Sequence, residues 1–200
     1  MNIAVLASGR GTNFEAIAKA VKKGEITQGK IKLLITDKED AFVRERAKRF
    51  KIRDIFVDPK KFKSREDFDR FIVRLLKKEK IELVVLAGYM RILSSYFVKQ
   101  FKNKILNIHP ALLPAFKGKD AIRRAYEYGV KITGVTIHFV DEKVDHGPII
   151  IQKALEIKKG ESLEELERRI HQMEHKLYPY VIKLFIQKRL KIKRRYVEIM

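Results

Sequence analysis

The runs at residues 2–7 (NIAVLA), 31–36 (IKLLIT) and 83–87 (LVVLA) are apolar almost without interruption. A strand with one wet face alternates apolar and polar residues. An unbroken run marks a strand buried on both faces, as in a parallel sheet covered by helices. Helical stretches separate these runs: residues 14–21, 41–50 and 65–78. The last is capped by Ser64 and sets Phe68, Phe71, Ile72, Leu75 and Leu76 on one face. With a short strand at 55–57 the order is βαβαβαβ, the pattern of a doubly wound parallel sheet. In such a sheet ligands lie outside the carboxyl ends of the strands, where the winding reverses. In the usual strand order, the first and fourth strands flank that crevice.

The first strand ends in Ser8-Gly9-Arg10-Gly11-Thr12-Asn13 and a helix follows. Strand, glycine-rich turn, helix is an anion-binding arrangement, because the helix N-terminus offers unpaired N–H groups and a positive dipole end. Two glycines of a dinucleotide fingerprint are present, but Phe14 stands at the third position. Asp37, ending the second strand, keeps a ribose contact open. Thr12 and Asn13 suit a single phosphate better than a pyrophosphate.

Residues 104–114 (KILNIHPALLP) present Asn107 and His109 two residues apart at the end of an apolar run. In a strand, positions i and i+2 share a face, and Pro110 forces the chain out of the sheet. An amide beside an imidazole at a sheet mouth can stabilise an oxyanion and move a proton. The sharp exit suggests a cis bond at Leu113–Pro114. A loop without periodicity follows to residue 119, then a short helix at 121–128.

Residues 133–140 alternate as a strand with Val135, Ile137 and Phe139 on one face. His138 lies on the other, as a structural or supporting group. The loop at 141–148 carries three carboxylates and His146, which is placed to touch either Asp145 or a ligand. A strand at 148–153 comes next. Ser162 and Glu165 form a capping box for a long helix. Pro179 is expected to break that helix near Tyr178, leaving a second piece at 180–187. The basic tail at 188–195 reads as an edge strand protected by its lysines and arginines. His171-Gln172-Met173-Glu174-His175 has the spacing of an inverted zinc-peptidase motif, but no distant third ligand accompanies it, and no metal is expected.

The chain has no cysteine, which excludes disulfides, thiolate zinc sites and a cysteine nucleophile and is compatible with a cytoplasmic enzyme. No apolar stretch is long enough to span a membrane, and no secretory signal is read at the start. The formal charge is +20, from 45 basic and 25 acidic residues. Heat adaptation accounts for an abundance of lysine and glutamate, and a basic field around a cleft for anionic molecules accounts for part of the excess.

Taken together, SGRGTNFEAI (residues 8–17), LAGYMRIL (86–93), LNIHPALLP (106–114) and DHGP (145–148) resemble the glycinamide ribonucleotide formyltransferases, folate-dependent enzymes of purine biosynthesis. The resemblance runs from residue 2 to about 190. It implies an α/β, Rossmann-like formyltransferase fold with a mostly parallel central sheet and helices on both faces. It implies one domain over 1–200, with a nucleotide-binding half at 1–100 and the catalytic and folate loops at 101–200. It implies formyl transfer from 10-formyltetrahydrofolate to the amine of glycinamide ribonucleotide by Asn107, a protonated His109 and Asp145. Gly11, Thr12, Asn13 and Glu174 then match ribonucleotide-binding positions. Arg65, Met90, Arg91, Ile92, Leu93, Asn107, Asp141, Glu142, Lys143, Val144 and Asp145 match folate-binding ones. The partners implied are these two small molecules, with no nucleic acid and no membrane, in a monomer or homodimer. Methionyl-tRNA formyltransferase, formyltetrahydrofolate hydrolase and a non-catalytic basic RNA-binding module are the alternatives. The first two are set aside because 200 residues leave no room for an additional C-terminal domain and the chain begins directly with a strand.

Overall fold

The computed structural model describes all of residues 1–200. The apolar runs become β1 (Asn2–Leu6), β2 (Lys30–Thr36), β3 (Asp54–Phe56), β4 (Leu83–Leu86) and β5 (Ile105–His109). The helices between them are α1 (Thr12–Lys22), α2 (Val43–Arg49), α3 (Arg65–Lys78) and α4 (Ser95–Gln100). The second half adds α5 (Ala121–Tyr128), β6 (Ile132–Phe139), β7 (Ile149–Glu156), α6 (Leu163–Ile186), β8 (Leu190–Lys193) and β9 (Tyr196–Ile199).

All nine strands join one sheet in the order β3-β2-β1-β4-β5-β6-β7-β9-β8. The pairs from β3 to β5 are parallel, whereas β6 runs antiparallel to both β5 and β7. The winding reverses at β1, so β1 and β4 are neighbours as expected. Alternate residues of β1 feed two cores. Ile3, Val5 and Ala7 pack with Phe14 and Ile17 of α1, Val43 and Ala47 of α2, and Ile170, Val181 and Ile182 of α6. Ala4 and Leu6 pack with Phe68, Ile72 and Leu76 of α3 and Phe97 of α4. Burial on both faces is what made these strands read as continuous apolar runs.

One expectation needs correction. Pro179 does not break the last helix: α6 is continuous over 24 residues. The proline removes the N–H that would bond the His175 carbonyl, a substantial local loss. Burial outweighs it, because Tyr178, Val181 and Ile182 on either side of the ring are fully buried. Both faces of β6 are buried: Thr136 and His138 are as buried as Val135 and Ile137, in keeping with a structural or supporting His138. The basic tail does supply an edge strand, β8, and pairs with β9 in a hairpin. β9 lies between β7 and β8, which leaves Lys191 and Lys193 on the outermost strand. The Leu113–Pro114 peptide is cis.

Candidate active site

A cleft of about 570 Å³ opens at the carboxyl ends of β1, β4 and β5. Its walls are tied to one another. The Ser8 N–H donates to the Gly88 carbonyl (3.0 Å), and the Met90 N–H donates to Ser8 Oγ (2.9 Å). The turn after β1 therefore faces the exit of β4 in direct contact. From below, Asp69 of α3 accepts the Ser94 N–H at 2.5 Å and braces the segment 88–94. Burial pushes the Asp69 carboxyl above its ordinary range.

At one end of the cleft stands the turn that opens α1. Gly11 has φ +71°, and a Cβ there would lie 2.3 Å from Val43 Cγ2. Glycine is thus required by the close approach of α2 as much as by any ligand. Arg46 of α2 donates from Nε to the Arg10 carbonyl at 2.7 Å and fixes the turn from behind. No side chain caps α1, so its first N–H groups remain available. Glu174 of α6 is 3% exposed and accepts from Asn13 Nδ2 (2.9 Å) and His171 Nδ1 (3.0 Å). The bond to Glu174 raises the His171 pKa against the effect of burial. Asn13 Oδ1 is buried without a partner. Phe14 is wholly in the core and Asp37 does not line the cleft, which removes the two supports of a dinucleotide reading.

At the centre, Asn107 and His109 emerge from one face of β5. Asn107 sits directly opposite His138 of β6. Its amide donates to His138 Nε2 (3.2 Å) and to Asp145 Oδ1 (3.2 Å). The His138 Nδ1–H is used by the Phe139 carbonyl (2.8 Å), which leaves Nε2 as the acceptor. Asp145 Oδ2 accepts the Gly118 N–H (2.8 Å) and lies 3.3 Å from His109 Nδ1. His109 Nε2 lies 2.9 Å from the Phe116 carbonyl. The four side chains form one polar cluster, with His109 only 4% exposed. Burial favours a neutral Asp145, but the imidazoles of His138 and His109 and the Gly118 N–H outweigh it and hold the carboxyl below its usual range.

Opposing influences act on His109, for which the resemblance implies a protonated ring. Burial is the largest influence and lowers its pKa. Asp145 and the Phe116 carbonyl push upward and do not overcome it. Burial therefore disfavours the charged ring in the ligand-free protein. Both ring nitrogens nonetheless face acceptors, so a neutral ring would leave the pair with Asp145 one proton short.

The far wall is built by Met90, Arg91, Ile92, Leu93, Val140 and the loop Asp141, Glu142, Lys143, Val144, Asp145. Met90, Ile92 and Val144 are 56%, 54% and 43% exposed, an apolar surface open to a ligand. Arg91 stacks on Phe68, 4.6 Å from the ring centroid. Arg65, at the start of α3, is exposed and does not line the cleft. His146 pairs with Asp141 (2.7 Å), not with Asp145. His138 is the site residue whose contacts sequence reasoning missed. Strand alternation gave its face, but only the β5–β6 register makes it the partner of Asn107.

The formyl transferase family model matches residues 1–182, which stops short of the C-terminal hairpin. A phosphoribosylglycinamide formyltransferase of Bacillus subtilis (strain 168) is 47% identical, over 90% of this chain and 92% of its own length. The trifunctional purine biosynthetic protein adenosine-3 of Gallus gallus is 43% identical over 92% of this chain, which spans 18% of that larger protein. The crystal structure of glycinamide ribonucleotide transformylase 1 from Symbiobacterium toebii superimposes with a TM-score of 0.97 at 44% identity. It covers 100% of this chain and 94% of its own. With the sheet order, the cleft and these likenesses in hand, the chain belongs to the phosphoribosylglycinamide formyltransferase family.

Proposed function

We propose that this protein transfers a formyl group from 10-formyltetrahydrofolate to the amine of glycinamide ribonucleotide, in the cytoplasm, with all 200 residues acting as one domain. The observation that carries this reading is the cluster of Asn107, His109, Asp145 and His138 between an anion-binding turn and an apolar-walled loop. The ribonucleotide phosphate takes the free N–H groups of Gly11, Thr12 and Asn13, and Glu174 orients the Asn13 amide. The folate lies along Met90, Arg91, Ile92 and Leu93 and the loop 141–145, with Arg65 available to the outer part of the cofactor.

The amine attacks the formyl carbon, and a carbon–nitrogen bond forms as the carbonyl oxygen takes up charge. His109 Nε2 already directs a hydrogen at a carbonyl oxygen, that of Phe116. The formyl oxygen takes that place. Asn107 gives up one of its two internal hydrogen bonds to donate to the same oxyanion. The proton lost by the amine fills the vacancy shared by His109 and Asp145, directly or through water. It then passes to N10 of the folate as the old carbon–nitrogen bond breaks. A neutral His109 in the free enzyme is what lets the pair accept that proton.

The test supplies 10-formyltetrahydrofolate with three acceptors in parallel: glycinamide ribonucleotide, methionyl-tRNA and water. Deformylation is followed optically. Rapid turnover is expected only with the ribonucleotide. Turnover with tRNA or water would reassign the acceptor, and no turnover with any would leave a binding module.

A further inference from the structure

The hairpin of β8 and β9 lies outside the segment that the family model matches, yet it reaches the active-site loop. Its turn brings Arg195 against His146, 49 residues away in sequence. Arg195 Nη2 donates to the His146 carbonyl at 2.7 Å, and Nη1 lies 3.2 Å from His146 Nε2. Nη1 is also 3.5 Å from Nδ1, so it sits against the ring between its two nitrogens, and Nδ1 lies 2.7 Å from Asp141 Oδ2. Asp141 Oδ1 in turn accepts the Lys143 N–H at 3.0 Å. A hydrogen on His146 Nδ1 joins the ring to Asp141. The guanidinium holds the His146 carbonyl and packs against the ring, the ring donates to Asp141, and Asp141 holds the loop backbone.

The place of this clasp matters because of its neighbour. Asp145 has φ +46°, a left-handed conformation uncommon for a residue with a Cβ. Such a conformation persists only where the surroundings over-determine it. Beyond His146, the chain is already fixed: a Cβ on Gly147 would lie 1.9 Å from the Phe139 carbonyl oxygen. Between these two points stands the peptide carbonyl that Arg195 grips. The hairpin is anchored for the task, since Tyr196 pairs with Ile149 of β7.

We propose that Arg195 is a positioning residue for formyl transfer. It clasps the loop 141–146 from the C-terminal hairpin and holds Asp145 and the folate wall in their working arrangement. The inference rests on the reading that this loop binds the formyl donor. It assigns the tail a role at the active site in addition to edge protection.

The test compares Arg195→Ala and Arg195→Lys with wild type in three measurements. In steady-state kinetics, Arg195→Ala is expected to raise KM for the formyl donor about ten-fold and lower kcat several-fold, the scale of losing a charge-assisted hydrogen bond. KM for the ribonucleotide stays unchanged, since its site is built from α1 and α6. Lysine, which keeps a donor for the carbonyl but not the fork, restores part of the loss. Equilibrium binding of a non-reacting folate analogue separates the two readings: a wild type that binds no folate refutes the functional reading, not the clasp. Hydrogen exchange at the amides of Lys143, Val144 and Asp145 tests the clasp without any ligand, and faster exchange in Arg195→Ala is expected. Unchanged exchange with unchanged donor KM overturns the proposal. An equal rise in both KM values with a lowered melting temperature also overturns it, because that is the signature of a merely structural hairpin.

Discussion

His109 is a histidine whose environment asks for a proton that its burial denies. Two acceptors face the ring, and burial still keeps its pKa under the ordinary 6.5. A depressed pKa means that protonation favours the unfolded chain. The associated stability is present above pH 6.5 and is lost as pH falls through the folded-state value. The same direction governs activity. If transfer needs neutral His109 in the free enzyme, the acid limb of kcat/KM for the ribonucleotide falls below pH 6.5. Asp145→Asn removes the main upward push on the ring, so the limb moves to still lower pH while the plateau drops. A pH–rate profile of both proteins measures this, and a wild-type limb above pH 6.5 would sink the neutral-base mechanism. Asn107 and His109 were legible in the sequence because strand geometry alone puts i and i+2 together. Asp145 was not legible that way. Its approach depends on a loop closed by Gly118, Gly147 and Arg195, and only the resemblance pointed to it.

At the scale of elements, α6 does the work that the sequence put in doubt. Pro179 suggested a break, yet Tyr178 beside it anchors the helix to the sheet. Its hydroxyl lies 2.8 Å from the Leu86 carbonyl at the end of β4 and 3.0 Å from the Leu106 carbonyl near the start of β5. One hydroxyl hydrogen is shared between the two strands whose exits form the site. Tyr178→Phe preserves the ring and leaves buried carbonyls without that donor, a loss of about 1–3 kcal/mol. The urea midpoint should fall with an unchanged m-value. An unchanged midpoint would show that the carbonyls are satisfied by the strand ladder alone. The parallel strands were legible because burial on both faces leaves a continuous apolar run. The short α4 was not, since six residues carry too little periodicity. Its position is set by the capping hydroxyl of Ser94 and by Asp69 reaching up from α3. The edge character of the tail was legible in its lysines, but the hairpin was not. The turn at Arg194 (φ +56°) carries none of the usual glycine or asparagine signals.

For the whole molecule the open quantity is the charge of +20. A basic field gathered in the cleft is not what the lining shows. Arg10, Arg91, Lys119 and Lys143 stand among Asp120, Asp141, Glu142, Asp145 and Glu174. More of the excess lies on the neighbouring groove between α1 and α6, where Lys19, Lys23, Lys176, Lys183 and Arg46 meet only Glu15 and Glu25. That groove shares Thr12 with the cleft. On the proposed function, positive charge therefore borders the end that takes the phosphate without neutralising the acidic loop. Potential of this kind acts on encounter more than on the bound state, because it works over distances where salt screens it. The Debye length shrinks from about 30 Å at 0.01 M salt to about 10 Å at 0.1 M. So kcat/KM for the anionic ribonucleotide should fall several-fold over that range, while kcat at saturation stays constant. Lys176→Gln with Lys183→Gln, two lysines on α6 remote from the reacting atoms, should flatten the dependence without changing kcat. A kcat/KM indifferent to salt would mean that the surplus charge serves the stability of the surface rather than the capture of substrate.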